Sequence, residues 1–164
     1  ASIYKDGDFE VKTLLKDIKN KPYETEVRLY YPSATDIETL YLDRDIQFST
    51  NGDIQKILES NLQNPESDEL MPTISKNTKI NSIKLDRGNR IVNVDFSKEL
   101  LTDMNAGSAM EEEILKSIVN TFGNYYGVEK VYISVDGAPY SSGHFGLEEN
   151  EYFTVDYDNV QKFE

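Results

Sequence analysis

Between Met110 and Phe122 the apolar side chains recur at helical spacing: Met110, Ile114, Leu115, Ile118, Val119 and Phe122 fall on one stripe. A helix with so continuous a stripe must bury it against another layer. The chain supplies that layer as strands on either side of the helix. Before it, Ile83 and Leu85 answer Val92, Val94 and Phe96 across the tight turn DRGN at 86–89, where Gly88 suits a positive φ. After it, Val131, Ile133 and Val135 alternate inward until Asp136-Gly137 turns the chain. Ser108 followed by Glu111 reads as a capping box, and Gly123 or Gly127 ends the helix. On this reading Ser108→Ala costs about 1 kcal/mol through the lost cap.

The remaining segments extend the pattern. EVRLYYP at 26–32 alternates and stops at Pro32. TLYLDRDIQF at 39–48 resumes its alternation after a charged interruption, as one strand or two halves around a bend. Ile54, Ile57, Leu58 and Leu62 then fall at helical spacing, between a polar start near Asp53 and a stop at Asn64-Pro65. EYFTVDY places Phe153, Val155 and Tyr157 on one side. The order β-β-α-β-β-α-β with a tail predicts an α+β fold: one domain with a mixed β-sheet and two helices, near 53–62 and 109–122, packed on one face. Residues 1–25 read as an N-terminal approach segment and spacer, 26–140 as the domain, and 141–164 as an acidic C-terminal extension packed on it.

The net charge is −13, and residues 136–164 carry seven acidic side chains against one basic. Such a surface repels phosphate backbones and anionic headgroups, so nucleic acid is not an expected partner. No apolar run of about 18 residues offers a membrane span. The start, ASIYKDGDFE, lacks both an initiator Met and a signal sequence, and reads as a fragment of a longer chain.

Candidate chemistry is sparse. The single histidine, His144, lies in PYSSGHFGLEEN beside Ser141 and Ser142, with no nucleophile-elbow pattern, and reads as a loop residue. One histidine and no cysteine close the usual His/Cys metal site. Asp95 sits opposite the core residues of its strand, where a cross-strand hydrogen bond accounts for it. DGDFE at Asp6 and DYDN at Asp156 lack the later Gly and Glu of a calcium loop. No catalytic, metal-binding or cofactor-binding residue is assigned, although thirty carboxylates leave a glycosidase-type pair open. Tyr30, Tyr125, Tyr126, Tyr132 and Tyr140 fall at element ends or on outward faces and read as residues of the core edge. The loop holding Tyr140, His144 and Phe145 is the candidate interaction surface.

Taken together, the segments 63–65 (QNP), 71–78 (MPTISKNT), 94–97 (VDFS), 107–108 (GS), 118–121 (IVNT) and 135–137 (VDG) resemble the GerMN domain family of sporulation and spore-germination proteins. The resemblance covers roughly 27–140. Asn64 stands where the family has Gly, a position at which Asn also accepts the left-handed backbone. The resemblance implies a non-enzymatic module, similar in fold to ring-building modules. It also implies export in a Gram-positive spore former, tethering through an N-terminal lipid anchor, and envelope or sporulation proteins as partners. The competing class is an envelope enzyme or ligand-binding domain acting on peptidoglycan or a germinant.

Overall fold

Ten residues of alternating character make β1 (Tyr23–Pro32), which pairs antiparallel with β2 (Thr39–Phe48) over its full length. The charged interruption of β2 does not bend it. Asp43 lies directly across from Arg28 and takes two hydrogen bonds from the guanidinium, at 2.8 and 3.1 Å. This is a computed structural model, and it describes residues 23–49 and 51–164. Most of the expected approach segment, including Asp6, lies outside the described residues.

Helix α1 (Asn51–Gln63) buries Ile54, Leu58 and Leu62, as its spacing requires. At its start, the amide and hydroxyl of Ser49 donate to Asp53. At its end, the Asn64 carboxamide donates to the Ser60 carbonyl at 2.8 Å. The left-handed residue of the turn that follows is Glu66, at φ 64, and not Asn64. A side-chain bond back into the last helical turn anchors Asn64, so the chain reverses two residues later.

The hairpin β3 (Ile80–Asp86) to β4 (Ile91–Phe96) forms in the expected register, with Ile83 opposite Val94 and Leu85 opposite Val92. Its loop has four residues. The positive φ falls on Arg90 rather than Gly88, because a four-residue connection closes through its last residue. Asp86 fixes the loop by accepting from the Asn89 amide and carboxamide.

From β4 the chain passes through the short α2 (Glu99–Thr102) and the long α3 (Ser108–Tyr126) into β5 (Lys130–Val135), parallel to β4. Gly127, at φ 68, ends α3. The Gly127 amide reaches Asn124 O and the Val128 amide reaches Gly123 O, the two bonds of a Schellman cap. Strands β6 (Ala138–Pro139) and β7 (Phe153–Thr154) both pair antiparallel with β5, and β8 (Val160–Lys162) runs parallel to β2.

The α+β class and the mixed pairing are as expected, and the strands divide between two sheets. One has the order β1-β2-β8; the other runs β3-β4-β5-β6, with β7 beside β5. Helices α1 and α3 contact strands of both. Between them lies one core that includes Val27, Leu29, Val92, Phe96, Ile118, Phe122 and Ile133. Phe96 meets Phe122 edge-on at 6.2 Å.

Side chains blunt the sheet edges. Thr121 accepts from the Tyr30 amide at 3.0 Å, and Thr73 donates to the Tyr30 carbonyl at 2.7 Å. On β3, Glu59 accepts from the Ile80 amide and Gln55 donates to its carbonyl. Backbone groups that would otherwise template another strand are thereby satisfied at these points.

Candidate functional site

The first turn of α3 departs from the expected capping box. Gly107 is the N-cap, with no side-chain cap bond, so Ser108 already lies inside the helix. Glu111 is therefore four residues past the cap, and its amide is taken by Gly107 O at 2.9 Å. Its carboxylate does not return to the helix start but turns inward. Because the Ser108 side chain is exposed and caps nothing, Ser108→Ala is expected to change stability by only a few tenths of a kcal/mol. A urea melt that loses a full 1 kcal/mol would restore the cap.

Glu111 is 2% exposed and organises the loop that follows β6. One oxygen accepts from the Tyr140 hydroxyl at 2.6 Å, and the other lies 2.9 Å from His144 Nδ1. Burial by itself would push the carboxyl upward in pKa. Hydrogen bonds from Ser142, Tyr140 and His144, together with the charge of the imidazole, outweigh burial and hold it below the ordinary carboxylate range. The Tyr140 phenol is pushed far up, first by burial and then by Glu111. Below these side chains the backbone closes a small hairpin, with Leu147 N on Tyr140 O and Ser142 N on Phe145 O. Gly143, at φ 95, occupies its tip.

The three predicted surface residues separate. Tyr140 is fully buried, so its ring is a foundation of the site and not a contact. Its backbone bonds to Ile133 and its edge-on packing against Phe153 draw it under the loop. The His144 side chain is 47% exposed, and Phe145 is half-buried. Phe145 borders a groove of about 280 Å³ that runs along α3, lined by Leu115, Val119 and Phe153 with Glu112, Lys116 and Asp156. Ser142 is engaged on all sides: its hydroxyl oxygen accepts from the His144 and Phe145 amides, and its one proton is shared between Glu111 and Phe145 O. That geometry does not set it up as a nucleophile for His144.

Sequence reasoning missed Glu111 because it assigned that side chain to a cap. The available signal was Gly107 directly before Ser108, since glycine also serves as an N-cap and shifts the frame by one residue. Asp95 holds a structural position. It accepts from the Ser134 hydroxyl at 2.5 Å, the Gly137 amide at 2.8 Å and the Asn81 carboxamide at 2.9 Å, tying β4 to its neighbours. The Asp156 carboxylate accepts from the Asp158 amide and lies 3.7 Å from Lys116 Nζ. Of the five tyrosines, Tyr30 and Tyr140 are in the core, while Tyr125 and Tyr126 meet edge-on at 4.8 Å and are half-buried, as is Tyr132.

The profile of the Germane family, described as sporulation and spore germination, matches residues 28–141. The chain belongs to this family. The Germane match runs from the second half of β1 through β6, includes helices α1 to α3 and Glu111, and ends before His144 and Phe145. Solved GerMN domains share the fold. The first GerMN domain of the sporulation protein GerM from Bacillus subtilis superposes with a TM-score of 0.58 at 13% identity, covering 79% of this chain and 97% of that one. The tandem GerMN domains of the same protein give 0.56 at 20% identity, covering 84% of this chain and 46% of that one. A Clostridium perfringens protein described as a lipoprotein gives 0.50 at 21% identity, covering 80% and 87%. No curated protein sequence matches the chain.

Proposed function

We propose that this domain is a non-catalytic assembly module of the bacterial cell envelope, working in sporulation or spore germination by binding other envelope proteins. The observation that carries this reading is the platform built on Glu111. A buried carboxylate pins the loop from inside, and His144 and Phe145 are presented beside an apolar groove on α3. Fixing exposed side chains on a rigid support lowers the entropy lost on association. Membership in a sporulation and germination family supplies the setting. The likeness to a lipoprotein and to GerM domains supports placing the chain outside the cytoplasm, held at its N-terminal side by a lipid anchor.

The competing reading, an enzyme or ligand-binding domain acting on peptidoglycan or a germinant, draws on the same pair, since a buried carboxylate can orient an exposed imidazole. One experiment separates the two. A photoreactive side chain at position 145 is expected to cross-link a defined protein in sporulating cells, and the same probe at the exposed Lys84, on the edge strand β3, is not. In parallel, the purified chain is expected to leave peptidoglycan intact. Hydrolysis abolished by Glu111→Gln or His144→Ala, with no cross-linked protein, would overturn the assembly reading and establish the enzyme.

A further inference from the structure

Beyond the matched residues 28–141, the chain lies over the domain as a strap. After Tyr140 no residue is fully buried, whereas what the strap covers is. Asn120 is 0% exposed, and both ends of its carboxamide are used by one strap residue: Nδ2 donates to Asp156 O at 2.8 Å, and Oδ1 accepts from Asp156 N at 2.9 Å. A side-chain amide that pairs with the N–H and C=O of a single residue imitates the edge of a β-ladder and fits only an extended backbone. Val155 lies over Gly123, where an added Cβ would come within 2.3 Å of Val155 Cγ1. Lys116 Nζ donates to Asp158 O at 2.7 Å. Tyr157 stacks on the buried Tyr30 at 6.1 Å, and β8 lies parallel to β2 over Thr39–Tyr41.

From this arrangement we infer that the groove along α3 and the edge of β2 form a strand-accepting seat, and that a second copy of this chain can fill it with its own strap. The seat is buried and demands an extended partner, because with the strap lifted Asn120 loses both of its partners and the β2 edge is unpaired. The strap itself is superficial and ends in three residues of parallel pairing. Closed and exchanged forms make the same contacts, since the arriving strap has the sequence that already fits. Their balance is therefore set by the concentration of neighbours against the effective concentration of the tethered strap, of order millimolar for a short tether. Crowding many copies side by side favours exchange. This deepens the assembly reading by naming one partner, a second copy, at a seat that adjoins Phe145 along α3 and continues to the edge of β2.

The test uses the full chain, which has no cysteine of its own. Leu40 and Gln161 are register partners, so L40C/Q161C in one chain is expected to close an internal disulfide on mild oxidation. An equimolar mixture of the single variants L40C and Q161C, oxidised at high concentration, is expected to yield a covalent heterodimer. Its amount should exceed the collision product of K84C with Q161C roughly tenfold or more, as a seated thiol exceeds a free one. Tyr41 and Lys162 are the adjacent partners, so Y41C with K162C repeats the measurement if L40C does not fold. Heterodimer no more abundant than the K84C collision product overturns the inference, as does failure of both double variants to close internally. Either failure leaves the cross-linking result at position 145 standing, so the two readings fall separately.

Discussion

Replacing Glu111 by alanine is expected to destabilise the domain by roughly 2–4 kcal/mol, a large part of the stability of an ordinary single domain. The Tyr140 hydroxyl, buried with its ring, would lose its short bond to the carboxylate and keep the Ser142 hydroxyl and the Met104 sulfur at 3.8 Å, and His144 would lose Glu111. Glu111→Gln preserves the shape and one acceptor oxygen, so it should cost less than the alanine change. The pH dependence gives a second readout. The folded carboxyl of Glu111 is depressed below its ordinary value near 4.5. Its contribution is therefore complete above that value and is lost as the pH falls through the folded value. Urea melts should show the gap between wild type and Glu111→Gln shrinking below about pH 4.5 and constant in the carboxylate's contribution above it. A gap that widens on acidification, or an alanine variant as stable as wild type, would mean that the carboxylate is not held as described.

Ile118→Ala is expected to cost roughly 2–5 kcal/mol, because it deletes three carbons from a fully buried site between the helix and the sheets. Ile118→Val should cost about 0.5–1.5 kcal/mol at the same site. The check is a shift of the urea midpoint at unchanged slope, which attributes the loss to the native core rather than to the unfolded chain. Ser108→Ala, ten residues earlier on the same helix, serves as the near-neutral comparison. If the two alanine variants melt together, the buried face of α3 has been misplaced.

The apolar stripe of α3, the hairpin register and the core strand β5 were legible because they rest on local periodicity, which a chain carries residue by residue. The IVNT segment at 118–121 was legible as a motif and opaque as a mechanism. Ile118 and Val119 are core, as their spacing requires, but Asn120 and Thr121 act on chain 36 and 91 residues away, on Asp156 and Tyr30. The candidate site was half legible. His144 and Phe145 were recognisable as part of a polar, Gly-rich loop, yet Tyr140 was grouped with them because sequence proximity gives no sign of burial.

The sequence alone determined the two long helices and five long strands of the described residues, the α+β class and the core face of α3, all through hydrophobic period and turn chemistry, and it left out the short α2, β6 and β8. The tertiary structure alone decided the split into two sheets, the inward turn of Glu111 and the seating of the strap on Asn120. Those depend on where backbone and side-chain polar groups find partners once water is excluded. Such partners lie tens of residues apart, and only the folded chain brings them within 3 Å.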